Sequence, residues 1–419
     1  MCGQRAVVIA LLAIPLFGQA LVPIGQSRRM DVVLGEALEK QTLPCDAEQT
    51  KPFLDFAFRF EVGYVVRCPL KEFGGVETSL AAYTRVTGGN GNPLWFSEWY
   101  RVPGMPDDLR SRINLQRDHN DVEFRGTVAV GEGEYSLDVV VADRQHRLFH
   151  RNWKTKVFAR GAETRAPVSL PPNEVAAVDC PDWRHTESAH NFHRLTVLVD
   201  AAPVDSSSTR LRAWDRAFLT EALSSVLTRL PSNSVRVVAF NLDQEQELFE
   251  ADEFDAGETR RFLQSLEKLE LGKVSYDVLR DAHGACNMLL DLLKRERAAK
   301  NAGDAVILLG PTNRLTERIP PEMVQDHRVS GPPVFYLKYS PVSPVRFRLP
   351  FSGMAMREDL GADMMNLTTG DNGEFPDIVQ HAAALHDGVT INMHSPVDLA
   401  DALKAIEHRL HPGGARVTE

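Results

Sequence analysis

The spacing of apolar residues changes near residue 180, and this change limits what the chain can fold into more than any other feature. From 53 to 158 the pattern has a period of two. Phe53, Asp55, Ala57, Arg59, Glu61 and Gly63 alternate with Leu54, Phe56, Phe58, Phe60 and Val62, as in a strand with one face on a core. Similar runs predict strands at 78–86, 94–102, 122–130, 135–143 and 148–158. Gly88-Gly89-Asn90-Gly91-Asn92-Pro93 and Gly131-Glu132-Gly133-Glu134 stand between them as turns. Only a short helix-like stretch at 33–39 precedes them. Short strands with regular turns predict an all-β domain over 21–160, a β-sandwich of immunoglobulin-like type. Pro167, Pro171, Pro172 and Pro181 then punctuate an aperiodic segment, which reads as a linker over 161–192.

Beyond it, short apolar runs alternate with helical spacing. Leu195-Thr196-Val197-Leu198-Val199 has the continuous β-branched and apolar character of a strand buried on both faces. Trp214, Phe218, Leu219, Ala222, Val226 and Leu230 then mark a helix ended by Pro231. Strands at 235–240, 245–250, 305–309, 334–339 and 389–393 interleave with helices at 256–269, 277–299, 377–386 and 396–410. The expected class is α/β plus all-β. A doubly wound parallel-sheet domain, Rossmann-type, would occupy 193–412.

Composition narrows the partners. The 419 residues are 43% hydrophobic and 25% charged, with a formal net charge of −10 and no block of Lys and Arg. Nucleic acid and anionic membrane therefore have no electrostatic support as partners. Residues 1–20 read as a signal peptide: Arg5 precedes an apolar run from 6 to 17, and Gly18-Gln19-Ala20 supplies small residues at the cleavage positions. An uncleaved N-terminal anchor is the other reading. No other stretch is apolar for long enough to cross a bilayer, so no stable membrane insertion of the mature chain is expected. The chain would be secreted or periplasmic.

Removal of the leader would leave Cys45, Cys68, Cys180 and Cys286. In an oxidising compartment these favour a Cys45–Cys68 disulfide closing a short loop. Cys286 falls on the apolar face of the 277–299 helix, where a cysteine serves as a small buried hydrophobe.

In an open α/β sheet, ligands sit beyond the carboxyl ends of the strands. Those positions here are Asp200-Ala201-Ala202-Pro203-Val204, Gly272-Lys273-Val274-Ser275-Tyr276-Asp277 and Gly310-Pro311-Thr312. Across 194–410 their order and spacing resemble the von Willebrand factor type A family. That resemblance implies a divalent cation held by an Asp-x-Ser-x-Ser run, a Thr and a distal Asp. Asp200 matches the first Asp. Ala202 and Val204 stand at the Ser positions, Lys273 at the Thr position and Pro311 at the final Asp, so four oxygens are lost from a shell that needs six. Lys273 could serve as a built-in counter-ion to Asp200. A rival register, Asp205, Ser207 and Thr209, supplies oxygens but lies past the strand end and suits a helix cap better.

Other features are weaker. His185, His190 and His193 could ligate zinc but have no matching Cys or carboxylate pattern. Asn366-Leu367-Thr368 is a formal glycosylation sequon. The insert at 340–375 carries Met354, Met356, Met364 and Met365 and could be an adaptable contact surface. No Gly-rich phosphate loop, Gly-x-Ser-x-Gly elbow or His-Glu-x-x-His is present. The expected function is therefore that of an exported, non-enzymatic protein-binding scaffold without a cofactor, its protein partner unknown. A metal-dependent (Mg or Mn) adhesion module and an extracytoplasmic hydrolase with a non-contiguous site are the alternatives.

Overall fold

The computed structural model describes residues 11–12, 14–89, 91–106, 120–178, 192–205, 207–272, 276–281, 283–299, 302–315, 319–327, 329–340 and 377–411. The chain divides into two compact units, the first covering Met1–Gly161 and Val168–Cys180, the second most of the remainder.

In the first unit, residues 11–12 and 14–21 and the predicted strands form two sheets. The first contains β1 (Leu11–Leu12), β3 (Asp46–Gln49), β4 (Phe53–Leu54), β5 (Phe60–Pro69), β8 (Asp121–Val130) and β11 (Val175–Ala176). Its main path runs β1-β8-β5-β3, with β4 on β5 and β11 on β8. The second sheet has the order β10-β9-β6-β7-β2, from β2 (Ile14–Leu21), β6 (Thr78–Thr87), β7 (Pro93–Val102), β9 (Gly133–Asp143) and β10 (Leu148–Val157). Alternate residues of both sheets meet in one core: Tyr64, Val66, Phe124 and Val122 from the first, Leu80, Ala82, Tyr100, Val139 and Val141 from the second. Tyr64 donates or accepts a 2.8 Å hydrogen bond with Thr84 inside that core, so neither hydroxyl is left unpaired on burial. The unit is a β-sandwich, and a Cys45–Cys68 disulfide ties the start of β3 to β5.

Three features differ from the expected pattern. The alternation from Phe53 predicts one long strand, but the backbone turns at Asp55–Phe58, where Phe58 has φ of 58°. Asp55 stabilises that turn by accepting from the Arg59 amide and side chain at 2.7 and 2.9 Å. The short helix expected at 33–39 extends over Ile24–Glu39 as α1, whose Leu34 and Ala37 pack on Trp95, Val140 and Leu148 of the second sheet. Part of the expected linker belongs to the sandwich, since Val175–Ala176 pairs with Val130 and Ala129.

The second unit holds a six-stranded sheet in the order β14-β13-β12-β15-β16-β17. Its strands are β12 (Phe192–Asp200), β13 (Ser232–Asn241), β14 (Gln246–Ala251), β15 (Ala305–Pro311), β16 (Val334–Tyr339) and β17 (Val389–Met393). Its helices are α2 (Ala213–Arg229), α3 (Thr259–Glu267), α4 (Tyr276–Arg280), α5 (Gly284–Ala298), α6 (Pro321–His327), α7 (Ile378–Leu385) and α8 (Pro396–Leu410). Leu289, Leu290 and Leu293 of α5, with Val379 and Ala382 of α7, cover Leu198, Val306, Leu308 and Tyr336. Phe218 of α2 stacks on Tyr339 at 4.4 Å.

The expectation of a doubly wound parallel α/β domain is corrected here. The described chain is mostly β-sheet, in three antiparallel or mixed sheets, and even the sheet of the second unit is mixed, because β14 runs antiparallel to β13. The cause is local. Asn241 and Gln246 already face each other across a short turn, in which Glu245 takes φ of 48° and Asn241 accepts from the Gln244 amide at 2.9 Å. So short a connection can only return the chain antiparallel. The helix expected at 277–299 is two helices, α4 and α5, with Asp281 accepting from the His283 amide at the break.

Candidate functional site

β12, β13 and β15 run parallel and in register, so the residues that follow them gather at one edge of the sheet. β15 can lie close to β12 there because residue 310 is glycine: a Cβ on Gly310 would sit 2.7 Å from the Asp200 Cβ. Asp200 is 1% exposed. Asn313, two residues beyond β15, donates its side-chain amide to Asp200 Oδ2 at 2.8 Å. Asp200 Oδ1 has no hydrogen-bond partner among the described residues. Asn241, fully buried at the end of β13, donates to the Ala201 carbonyl at 2.9 Å and joins the two loops.

Two more carboxylates act on Asp200, and each carries its own cation. Asp243 accepts from Arg314 at 2.8 Å, and Asp377 lies 3.0 Å from Lys338 Nζ. Asp377 also caps α7 through the Gln380 amide at 2.7 Å. Burial pushes the Asp200 carboxyl up to about 8; the Asn313 hydrogen bond opposes this, and the charges of Asp243 and Asp377 add to it. Loss of hydration disfavours the ionised form, and one neutral hydrogen-bond donor does not restore it. Burial thus favours the protonated acid at neutral pH, beside two ion pairs.

The expected site residues are partly brought together. Asp200, Ala202 and Pro311 lie at the ends of β12 and β15; Ala202 is buried, and the Pro311 carbonyl accepts from the Tyr336 hydroxyl at 2.9 Å. Val204 turns toward α2, where its amide donates to Asp215 Oδ1 at 3.0 Å. Lys273 lies outside the described residues. In the rival register, Asp205 accepts from the Ser207 amide and hydroxyl at 3.0 and 2.6 Å and from Arg212 at 2.8 Å, while Thr209 is exposed. That arrangement is a turn before a helix, with the carboxylate already engaged. His193 is exposed at the start of β12, and its backbone amide donates to Asp304. His185, His190, Cys180, Asn366 and 341–375 lie outside the described residues. Cys286 is a thiol buried beneath β13 and β15.

Sequence reasoning missed Asn313, Asp243, Arg314, Lys338 and Asp377. Only Asn313 and Arg314 carried any signal, as polar residues directly after a buried strand. Apart from this cluster, a cavity of ≈ 600 Å³ lies between β14 and α3, lined by Gln246, Phe249, Arg261, Gln264 and Lys268 among others.

No protein-family model matches the chain. No curated protein matches it. Among solved structures, Bacteroides uniformis beta-glucuronidase 2 covalently bound to cyclophellitol-6-carboxylate aziridine is similar over 71% of this chain at 10% identity and a TM-score of 0.18. A glycosyl hydrolase family 2 member from Bacteroides cellulosilyticus is similar over 72% at 11% identity and a TM-score of 0.19. The chain spans 36% and 37% of the length of those two proteins. A structural-genomics target protein, matched over 27% of this chain at 6% identity, has a TM-score of 0.17.

Proposed function

We propose that the chain is an exported, non-enzymatic recognition protein, and that the loops after β12, β13 and β15 present a metal-free surface to a protein partner. The carrying observation is the state of Asp200. It is the one acid retained from the resemblance to von Willebrand factor type A domains, and it is buried, held by Asn313 and pushed up to about 8. An aspartate ligates a cation through its ionised carboxylate, so binding here would have to drive off the proton that burial favours. Here the nearby negative charges already have Arg314 and Lys338 as partners. Among the described residues no helix is long and apolar enough to cross a membrane, and the disulfide suits an oxidising compartment.

The test is calorimetric titration of the full chain with Mg²⁺ and Mn²⁺ at pH 7, with thermal unfolding in parallel. We expect no saturable heat and no rise in Tm. Saturable binding with a rise in Tm that disappears in Asp200→Ala would establish a metal-dependent site and overturn the proposal.

A further inference from the structure

The first unit carries an interface of a different kind, and it does not depend on the reading of the second unit. β2 is the edge strand of its sheet and pairs along the outer flank of β7. The pairing is antiparallel, with Ile14, Pro15, Phe17, Ala20 and Leu21 opposite Arg101, Tyr100, Trp99, Ser97 and Phe96. The register slips twice, between Pro15 and Phe17 and between Phe17 and Ala20. The same N-terminal segment reaches the other sheet, where Leu11 and Leu12 run parallel to Val122 and Glu123 of β8.

Gln19 fixes the segment between the two sheets. Its side-chain amide donates to Glu98 of β7 at 2.8 Å and to the Thr127 carbonyl of β8 at 2.5 Å, and its oxygen accepts from the Val178 amide at 3.2 Å. These contacts lie within the stretch that the sequence marks as a cleavable leader. Cleavage after Ala20 would remove Gln19 and most of the rungs on β7, while the Val22 amide would keep its bond to the Trp95 carbonyl at 2.8 Å.

The edge so uncovered is only partly guarded. Natural edge strands are short or carry charged side chains, Pro or a bulge. β7 is ten residues long, has its Pro only at the first position, carries charge only at Glu98 and Arg101, and holds Trp99 at 41% exposure. We infer that the outer flank of β7 is a strand-acceptor site. β2 fills it in the full-length chain, and once the leader is removed an extended, uncharged apolar segment of a partner polypeptide takes its place. Backbone hydrogen bonds would supply affinity, as in other strand additions. The groups that Gln19 engages on Glu98, Thr127 and Val178 would favour a side-chain amide at the matching position.

The test compares the full chain with one that begins at Leu21, using a synthetic peptide of residues 11–20 as the probe. Amides of 95–101 should exchange with deuterium faster in the shortened chain, and saturating peptide should restore their protection. A peptide with Gln19→Ala should bind about tenfold more weakly, on the scale of a lost hydrogen bond. If the shortened chain does not fold, a protease site placed after Ala20 and cut in the folded protein provides the same edge, and exchange of a labelled peptide into it is then measured. Equal protection in both chains, equal binding of the altered peptide, or no exchange into the cut protein would overturn the inference. A dimer formed through 95–101 that the peptide cannot dissociate would also overturn it, since the acceptor would then serve a second copy.

Discussion

Asp200 sits between two loops that converge for other reasons, and its protonation follows from that position. Gly310 lets β15 approach, Asn313 holds one oxygen, and the other has no partner among the described residues. Its pKa of about 8 lies above the 3.8 of an unperturbed Asp, so the folded state holds its proton more tightly than the unfolded chain. Below the unfolded value both states are protonated and the group contributes nothing to the pH dependence. Between there and about 8 the unfolded chain alone releases its proton, and stability falls with rising pH by about 1.4 kcal/mol per unit. Above that range the loss is complete and constant. Asp200→Asn keeps the size and one acceptor oxygen but cannot ionise. The variant should gain on the parent as pH rises, with a gap in urea-unfolding free energy clearly larger at pH 8 than at pH 5. A gap independent of pH would show that Asp200 is ionised in the fold.

Among the elements, strand positions were the most legible part of the sequence, because a period of two is a direct image of one buried face. The hairpin of β9 and β10 follows its alternation closely, and β15 and β16 follow their apolar runs. Failures came where a local bond outweighed the pattern. Asp55 and Arg59 force a turn into an alternating stretch, and Asp281 interrupts a helix whose apolar spacing continues across it. The parallel sheet was expected throughout and is mixed, because a short turn after β13 decides the direction of β14. The site was legible only at Asp200. Asn313 is 113 residues away in sequence, and nothing local links the two. A second hidden contact joins β13 to α5. Arg236 donates to Glu296 at 2.7 Å and 3.0 Å, with side chains 10% and 3% exposed, and Glu250 and Asp252 complete the guanidinium's partners. Removal of one charge from a buried pair leaves the other desolvated and unmatched, at a cost of about 3–5 kcal/mol. Glu296→Gln leaves Arg236 its exposed partners Glu250 and Asp252, so the unfolding free energy should fall by about 1–3 kcal/mol, short of that full cost. Replacement of exposed Glu247, which pairs with Arg295 near the surface, should cost less than about 1 kcal/mol. Equal losses in the two variants would mean that the buried pair has no special weight.

At the scale of the whole molecule, the two units depend on different covalent chemistry. The Cys45–Cys68 disulfide lies in the sandwich, 23 residues apart in sequence, and it crosslinks β3 to β5 beside the paired residues Asp46 and Arg67. Closure of a loop of that length restricts the unfolded chain by about 3 kcal/mol in the chain-entropy account. In the second unit Cys286 is a buried thiol packed with Leu289, Leu290 and Val306, and reduction leaves it unchanged. A mild reductant should therefore destabilise the sandwich alone. Native-state hydrogen exchange resolves this by position, because amides of different regions open with their own free energies. On reduction, the amides of β3, β5 and β8 should exchange faster by up to about two orders of magnitude, in line with a loss of about 3 kcal/mol. Those of β12, β13 and β15 should keep their rates. The change should be mimicked by Cys68→Ser without reductant. If the amides of β12 and β15 accelerate in step with those of β5, the disulfide stabilises the chain as a single cooperative whole, and the division into two independently stabilised units fails.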